Sequence, residues 1–210
     1  MLRFDYYGTG DSMGDDLDAD IDGWSDDVRE ADRELRARCG GGETIWIGMR
    51  LGGTIVLRAA QRAPDSLARL ILWDPVLDGP RYLEHLRERH VSTLERAFSI
   101  SPAPAPSELA KDPAAYRDEA IGFALSPLLR EQIAMLRPTA EHWPDRPGSI
   151  VIVTDPDDVD GSDLSAVCDA DPGRVQVTPV RHGIDWTGGS SALVPGQAVA
   201  RLVQEAAVTR

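Results

Sequence analysis

The residues best suited to chemistry follow the predicted strands of this 210-residue chain. Residues 45–57, IWIGMRLGGTIVL, have the pattern of a short apolar strand that turns sharply into a helix, with Arg50 at the turn. Glycines at 48, 52 and 53 suit such a turn, because the helix would come too close to the strand for side chains. A guanidinium stays protonated near neutral pH, so Arg50 is an anion-binding group and not a nucleophile.

Acidic and histidine side chains follow three other predicted strands. Because the carboxyl ends of parallel strands meet at one edge of a sheet, we expect Asp74, Asp155 and His182 to lie near Arg50. Asp155 is predicted to orient His182, with Asp157 and Asp74 as rival acids. Alternatively, Asp74 is the ionic partner of Arg50, since a partly buried guanidinium without a partner is costly.

Apolar patterns along the chain predict an alternation of strands and helices. Continuously apolar runs are typical of strands buried on both faces, and helical periodicity separates them. This order indicates an α/β fold with a mostly parallel sheet and helices on both faces. Strands are predicted at 2–7, 44–47, 70–73, 149–153 and 174–180. Helices are predicted at 24–39, from the turn at Arg50 to about residue 63, and at about 195–208.

The alternation breaks between residues 78 and 148. This stretch contains helical patterns around a proline-rich connector. An insertion of that length between two sheet strands is typical of a cap over a site. We therefore predict one domain over residues 1–210, with 78–148 as a helical cap.

Five segments in order resemble a known superfamily. They are RFDYYGTGDS, Trp24, GMRLGG, LWDPVLDGPRYLEHL and GFALSPLLREQIAML. Together they are similar to α/β-hydrolases related to the serine aminopeptidase group, and most specifically to exosortase-associated hydrolase-like proteins, whose elbow also tends to carry arginine. The resemblance covers residues 2 to about 136.

The resemblance implies roles for several residues. Arg50 would occupy the place of the nucleophilic serine, Asp155 and His182 would be the remnant of a catalytic triad, and the Leu51 amide would be an oxyanion donor. Residues 2–7 would be the fourth strand of an eight-stranded sheet. The third strand is then expected upstream of Met1; alternatively, the chain is a fragment-like variant in which the central gap is closed in another way. We therefore expect an α/β-hydrolase-like fold that is truncated at its N-terminus.

Composition excludes several classes of function. The formal net charge of -13 disfavours nucleic-acid and membrane-surface partners. There is no apolar run long enough for a membrane span and no signal-peptide pattern, so a cytoplasmic location is expected.

No cofactor or metal is expected from the motifs. Cys39 and Cys168 have no metal-ligand or disulfide spacing. GTGDSMG at 8–14 has Met13 where a dinucleotide turn needs a small residue, and DPDDVDGSD at 155–163 lacks the terminal carboxylates of a calcium loop.

Two functional hypotheses remain open. In the first, the chain is a degenerate hydrolase that binds a small carboxylate or acyl ligand with Arg50, Leu51, Asp74 and Ser12. In the second, it hydrolyses ester, thioester or amide bonds using His182 with water, or Ser12 as an alternative nucleophile. The sequence is compatible with a homo-oligomer in either case.

Overall fold

A computed structural model describes most of the chain. The described residues are 1–98, 117–137, 143–145, 147–157, 173–184, 186 and 195–207. No helix among them is both long enough and apolar enough to cross a membrane.

The centre of the fold is a parallel sheet. Its four strands are β1 (Thr44–Met49), β2 (Leu67–Trp73), β5 (Ile150–Thr154) and β6 (Val175–Pro179), in the spatial order β1-β2-β5-β6. The central strands β2 and β5 are almost wholly apolar and buried on both faces, as the continuous apolar runs predicted. Their register, Leu70 beside Ile150 and Trp73 beside Val153, brings Asp74 and Asp155 to the same edge.

Helices cover both faces of this sheet. Helices α1 (Ile21–Cys39) and α2 (Leu51–Ala59) lie on one face, where Trp24 and Ile55 join the core that contains Leu70 and Leu72. Helix α5 (Gly196–Ala207) lies on the other face, against Ile71 and Trp73. Successive side chains of a strand point to opposite faces of the sheet, so Leu70 and Leu72 face one pair of helices and Ile71 and Trp73 face α5. The predicted α/β fold with helices on both faces is confirmed.

Helix α1 ends at Cys39 as predicted but begins at Ile21, three residues before the predicted start at Trp24. The Asp20 side chain accepts hydrogen bonds from the backbone N–H groups of Asp22 and Gly23, which caps the N-terminus. Gly40 follows the last residue, Cys39, in the left-handed conformation with φ 76°. Glycine adopts that conformation without a Cβ penalty, so the helix stops there.

Residues 78–148 contain three described elements. They are helix α3 (Gly79–Phe98), a short hairpin of β3 (Glu119–Ala120) and β4 (Phe123–Ala124), and helix α4 (Pro127–Ala134). A Cβ on Gly79 would overlap the carbonyl of Ile133, so α3 and α4 meet where only glycine fits. The hairpin had no counterpart in the sequence prediction.

The predicted strand at residues 2–7 is wrong. Residues 1–6 form no strand in the structure, and a groove lined by Phe4, Tyr6, Ile45 and Ile47 separates this segment from β1. A strand requires a hydrogen-bonded neighbour, and within the described residues the partner of β1 is β2. The side chains of Ile47 and Met49, which point to one face of β1, are 49% and 50% exposed.

Candidate functional site

The turn between β1 and α2 places Arg50 in a strained backbone conformation. Its φ of 51° and ψ of -128° are rare for a residue with a Cβ. The backbone holds this geometry with hydrogen bonds, since the Arg50 N–H donates to the Trp73 carbonyl at 3.0 Å and the Arg50 carbonyl accepts from the N–H groups of Gly53 at 2.9 Å and Val76 at 3.2 Å. A side chain at this turn is presented beyond the edge of the sheet.

The glycines around the turn are not equally constrained. A Cβ on Gly48 would lie 2.5 Å from the Gly52 carbonyl oxygen and 2.7 Å from the Gly53 Cα, so strand and helix approach through Gly48. A Cβ on Gly53 would meet Pro75 at 3.1 Å. At Gly52 the nearest atom would be the Tyr6 hydroxyl oxygen at 3.8 Å, an ordinary contact. The close approach predicted for all three glycines therefore applies to Gly48 and Gly53, and not to Gly52.

The Arg50 guanidinium lies between the backbone of Asp74 and an indole ring. Its Nη1 donates to the Asp74 carbonyl oxygen at 3.5 Å. Its Cζ lies 5.6 Å from the centroid of the Trp186 ring, within range of a cation–π interaction.

The Asp74 carboxylate binds other groups. Oδ1 accepts from the Asp155 backbone N–H at 3.0 Å, and Oδ2 accepts from Trp186 Nε1 at 2.9 Å. Oδ2 also lies 2.8 Å from His182 Nε2. The described contact between Arg50 and Asp74 is to the Asp74 main chain, whereas the Asp74 carboxylate pairs with His182. The reason is geometric: Asp74 has a φ of 42°, and its carboxylate lies against the Asp155 backbone on the next strand.

Asp155 supports the loop that carries His182. Oδ2 of Asp155 accepts from the backbone N–H groups of His182 and Gly183, each at 2.8 Å, and Oδ1 accepts from the Asp157 N–H at 3.0 Å. Burial alone would raise the pKa of the Asp155 carboxyl, but these three donors outweigh it and hold the pKa below its ordinary value. The structure thus brings Asp155 and His182 together, with the carboxylate bonded mainly to the backbone.

The His182 ring is enclosed. Nδ1 lies 3.5 Å from Asp155 Oδ2 and 3.2 Å from the Ile184 backbone nitrogen, and Nε2 lies between Asp74 and the indole nitrogen of Trp73, at 2.8 and 3.2 Å. The His182 side chain is 1% exposed and that of Asp74 is 0% exposed. Both ring nitrogens therefore face protein groups.

A cavity of about 490 Å³ lies between Arg50 and the described elements α3, α4 and the hairpin. Its walls are mostly apolar, and Arg50 and Leu51 contribute from the sheet side. Burial raises the pKa of the Tyr82 hydroxyl, and the Arg50 guanidinium opposes part of that rise, so the two groups are in electrostatic reach. The other walls come from the N-terminal segment, α1, the hairpin, α3, α4 and Trp186: Thr9, Asp16, Ala19, Trp24, Leu86, Ala120, Ile121, Phe123, Ala124, Leu125, Leu129 and Ile133.

Ser12 and Asp157 lie elsewhere. The Ser12 hydroxyl donates to the Asp5 carbonyl at 2.6 Å and lines a surface groove with Phe4 and Met13, apart from the Arg50 cavity. Asp157 is exposed, and its carboxylate pairs with Arg181 at 3.2 Å. Among the described contacts of the three acids, Asp155 binds the His182 backbone, Asp74 lies nearest the His182 ring, and Asp157 contacts neither.

No cluster of His, Cys, Asp or Glu that could hold a metal occurs within the described ranges. Cys39 is a free, exposed thiol. Cys168, His142 and most of the acidic loop at 155–163 lie outside the described residues.

Three aromatic residues of the site were missed in the sequence. Trp73 and Trp186 surround His182, and Tyr82 lies beside Arg50. The position of Trp73 directly before Asp74 is a signal that could have identified it, because the last residue of a central strand lies beside the site. For Trp186 and Tyr82, local sequence gives no such signal.

Comparisons with known proteins agree on the fold. A family model described as "Serine aminopeptidase, S33" matches residues 1–131. No curated protein matches the chain. The solved structures it resembles include Est1E from Butyrivibrio proteoclasticus with ferulic acid bound, at 16% identity and a TM-score of 0.63, covering 97% of this chain and 76% of that one.

Two further structures give the same result. E-2-(acetamidomethylene)succinate hydrolase has 18% identity and a TM-score of 0.55, with 95% of this chain and 80% of that chain covered. The α/β hydrolase GrgF from Penicillium sp. sh18 has 17% identity and a TM-score of 0.57, with 95% and 76% covered. The chain belongs to the serine aminopeptidase family of the α/β-hydrolase superfamily, because the family model matches residues 1–131, more than half of its length.

Proposed function

We propose that this protein binds a small amphipathic carboxylate without hydrolysing it, and that Arg50 binds the carboxylate group. The observation that carries the proposal is the place of Arg50. It lies where the fold presents a nucleophile, and its side chain lines the mostly apolar cavity. A ligand with one anionic end and an apolar body matches that distribution of polarity.

The chemistry of Arg50 supports an anion as the bound group. A guanidinium donates hydrogen bonds in a planar fork that fits the two oxygens of a carboxylate. Arg50 also precedes the first turn of α2, where the helix dipole favours negative charge. The walls around it, including Trp24, Phe123 and Leu129, fit an aromatic or aliphatic body.

The alternative, a hydrolase that uses His182 or Ser12, has weaker support in the geometry. His182 would have to leave Asp74 and become accessible before it could activate a water, yet its side chain is 1% exposed. The Ser12 hydroxyl is bonded to a backbone carbonyl outside the cavity. Arg50 itself forms no acyl-enzyme at neutral pH.

A pair of probes separates binding from hydrolysis. Est1E, a structural neighbour, holds ferulic acid, which is an aromatic carboxylate. We would titrate ferulate, decanoate and methyl ferulate into the protein by calorimetry and follow methyl ferulate by chromatography for turnover. The variants are Arg50→Gln and, as a matched control, Arg33→Gln at an exposed position of α1.

We expect saturable binding of at least one carboxylate, weakened about tenfold or more by Arg50→Gln and unchanged by Arg33→Gln. Methyl ferulate should stay intact. Equal carboxylate affinity in Arg50→Gln, no carboxylate binding up to millimolar concentration, or turnover abolished by His182→Ala would each overturn the proposal.

A further inference from the structure

Trp186 links Arg50 to the buried acid–histidine pair. One face of its indole lies 5.6 Å from the Arg50 Cζ. Its Nε1–H donates to Asp74 Oδ2 at 2.9 Å, and the same oxygen lies 2.8 Å from His182 Nε2. A continuous series of contacts therefore runs from His182 through Asp74 and Trp186 to the guanidinium at the cavity.

Trp73 restrains the same indole from another side. The rings of Trp73 and Trp186 pack edge to face, with centroids 5.0 Å apart and an interplanar angle of 77°. Trp73 also packs edge to face on His182, at 5.6 Å and 84°. The His182 ring makes a second edge-to-face contact with Trp186, at 6.1 Å and 84°, so one hydrogen bond and two aromatic contacts orient the Trp186 ring.

We infer that Trp186 is a positioning residue for Arg50, and that the Asp74–His182 pair influences anion binding through it. The inference rests on the proposed function and assigns a role to residues that, in a hydrolase, would move protons. It requires no contact between the pair and the ligand, since Asp74 and His182 are buried and Trp186 lines the cavity.

The physical reason is the length of the arginine side chain. Ordering a long charged side chain for each binding event costs conformational entropy, and a guanidinium already held over an aromatic face loses less. Because the Asp74 carboxylate fixes the indole through Nε1, a neutral side chain at position 74 should leave that face less well oriented. The effect should appear for anionic ligands and not for neutral ones of the same shape.

The test is a selectivity ratio. For each variant, the affinity for ferulate is divided by that for methyl ferulate, measured on one preparation. Both affinities come from the same sample, so an unfolded fraction affects them equally and does not change their ratio. Trp186→Phe keeps an aromatic face but loses the N–H donor to Asp74, whereas Trp186→Leu loses both. Asp74→Asn removes the negative charge, and asparagine tolerates the positive φ of position 74.

We expect Trp186→Leu to lower the ratio about threefold to tenfold and Trp186→Phe to lower it less. Asp74→Asn should lower the ratio when residue 186 is tryptophan and leave it unchanged in Trp186→Phe. Such dependence of one substitution on the other is a direct measure of coupling.

Arg50→Gln separates the two proposals. If Arg50→Gln leaves the ratio at the wild-type value, the proposed function is wrong. If Arg50→Gln abolishes the preference for ferulate but Trp186→Leu and Asp74→Asn retain it, only the positioning role is wrong. A third result is that Asp74→Asn lowers the ratio equally in the wild type and in Trp186→Phe. That result would also overturn the positioning role, because Asp74 and His182 would then affect binding without acting through Trp186.

Discussion

His182 Nε2 lies 2.8 Å from a carboxylate oxygen of Asp74, and both side chains are buried. In a serine hydrolase this nitrogen takes the proton of the nucleophile. In this chain the nitrogen is bonded to an acid that follows β2, and residue 50 is an arginine. The hydrogen bonds of His182 and of the neighbouring acids Asp74 and Asp155 are thus directed into the protein.

We predict that a fluorophosphonate probe labels neither the wild type nor Arg50→Ser. Restoring a hydroxyl at position 50 leaves His182 bonded to Asp74, so the base stays unavailable. Intact-protein mass after incubation measures labelling, with an active serine esterase in the same reaction as the positive control. An adduct at position 50 of the variant would show that the base is free, and a serine adduct in the wild type would identify a different nucleophile.

Gly48→Ala should destabilise the protein by about 3 kcal/mol or more, because its Cβ would lie 2.5 Å from the backbone of the facing helix. Gly52→Ala is the matched control in the same turn, where the nearest atom is at 3.8 Å. It should be neutral or stabilising by up to about 1 kcal/mol, since alanine favours a helix over glycine. Urea unfolding of both variants gives the comparison. Equal losses would contradict the close approach at Gly48.

Arg50→Gly should be more stable than Arg50→Ala, by about 1 kcal/mol. Both remove the guanidinium, but alanine must keep the strained φ of 51°, which glycine adopts without strain. The free energy of unfolding of the two variants isolates the backbone strain from the loss of the side chain. If alanine were equally stable, the strain at this turn would be negligible.

Asp155 should contribute stability that depends on pH. Its pKa in the folded protein is below the ordinary value, so the ionised carboxylate stabilises the fold above the unfolded pKa of about 4. This contribution disappears as the pH falls through the lower folded-state pKa. We expect Asp155→Asn to cost about 2–3 kcal/mol at pH 7, and the difference from wild type to shrink in acid.

Urea unfolding at pH 7 and near pH 3 tests this prediction. Asp157→Asn, at an exposed carboxylate two residues later, is the control and should have little effect at either pH. A cost for Asp155→Asn that stays constant between the two pH values would show that the charge of Asp155 does not contribute.

Local patterns predicted much of the fold. The buried strands, the stop of α1 at Gly40 and the turn at Arg50 each follow from a few adjacent residues, because chain stiffness and burial act locally there. The segment at residues 2–7 has the composition of a strand but lies beside a groove, and pairing depends on a neighbour that composition does not reveal.

The site was only partly predictable for a related reason. Strand order brings Arg50, Asp74, Asp155 and His182 to one edge, as the alternation of elements indicated. Which of these groups bond to each other depends on distances of an ångström or two. The Asp74–His182 pair and the place of Trp186 follow from side-chain packing across segments about 110 residues apart, which no local spacing encodes.

The exposed side of β1 has a consequence for how the protein behaves at high concentration. Within the described residues β1 pairs with β2 on one side, and Thr44–Met49 contains no charged residue or proline, the usual guards of a strand edge. A net charge of -13 instead provides repulsion between copies, which acts over about 10 Å in 0.1 M salt and about 3 Å in 1 M salt. The solubility of this chain at high concentration therefore depends on its excess of acidic residues. Added salt should promote association of copies through the β1 edge at concentrations that leave the folded structure intact.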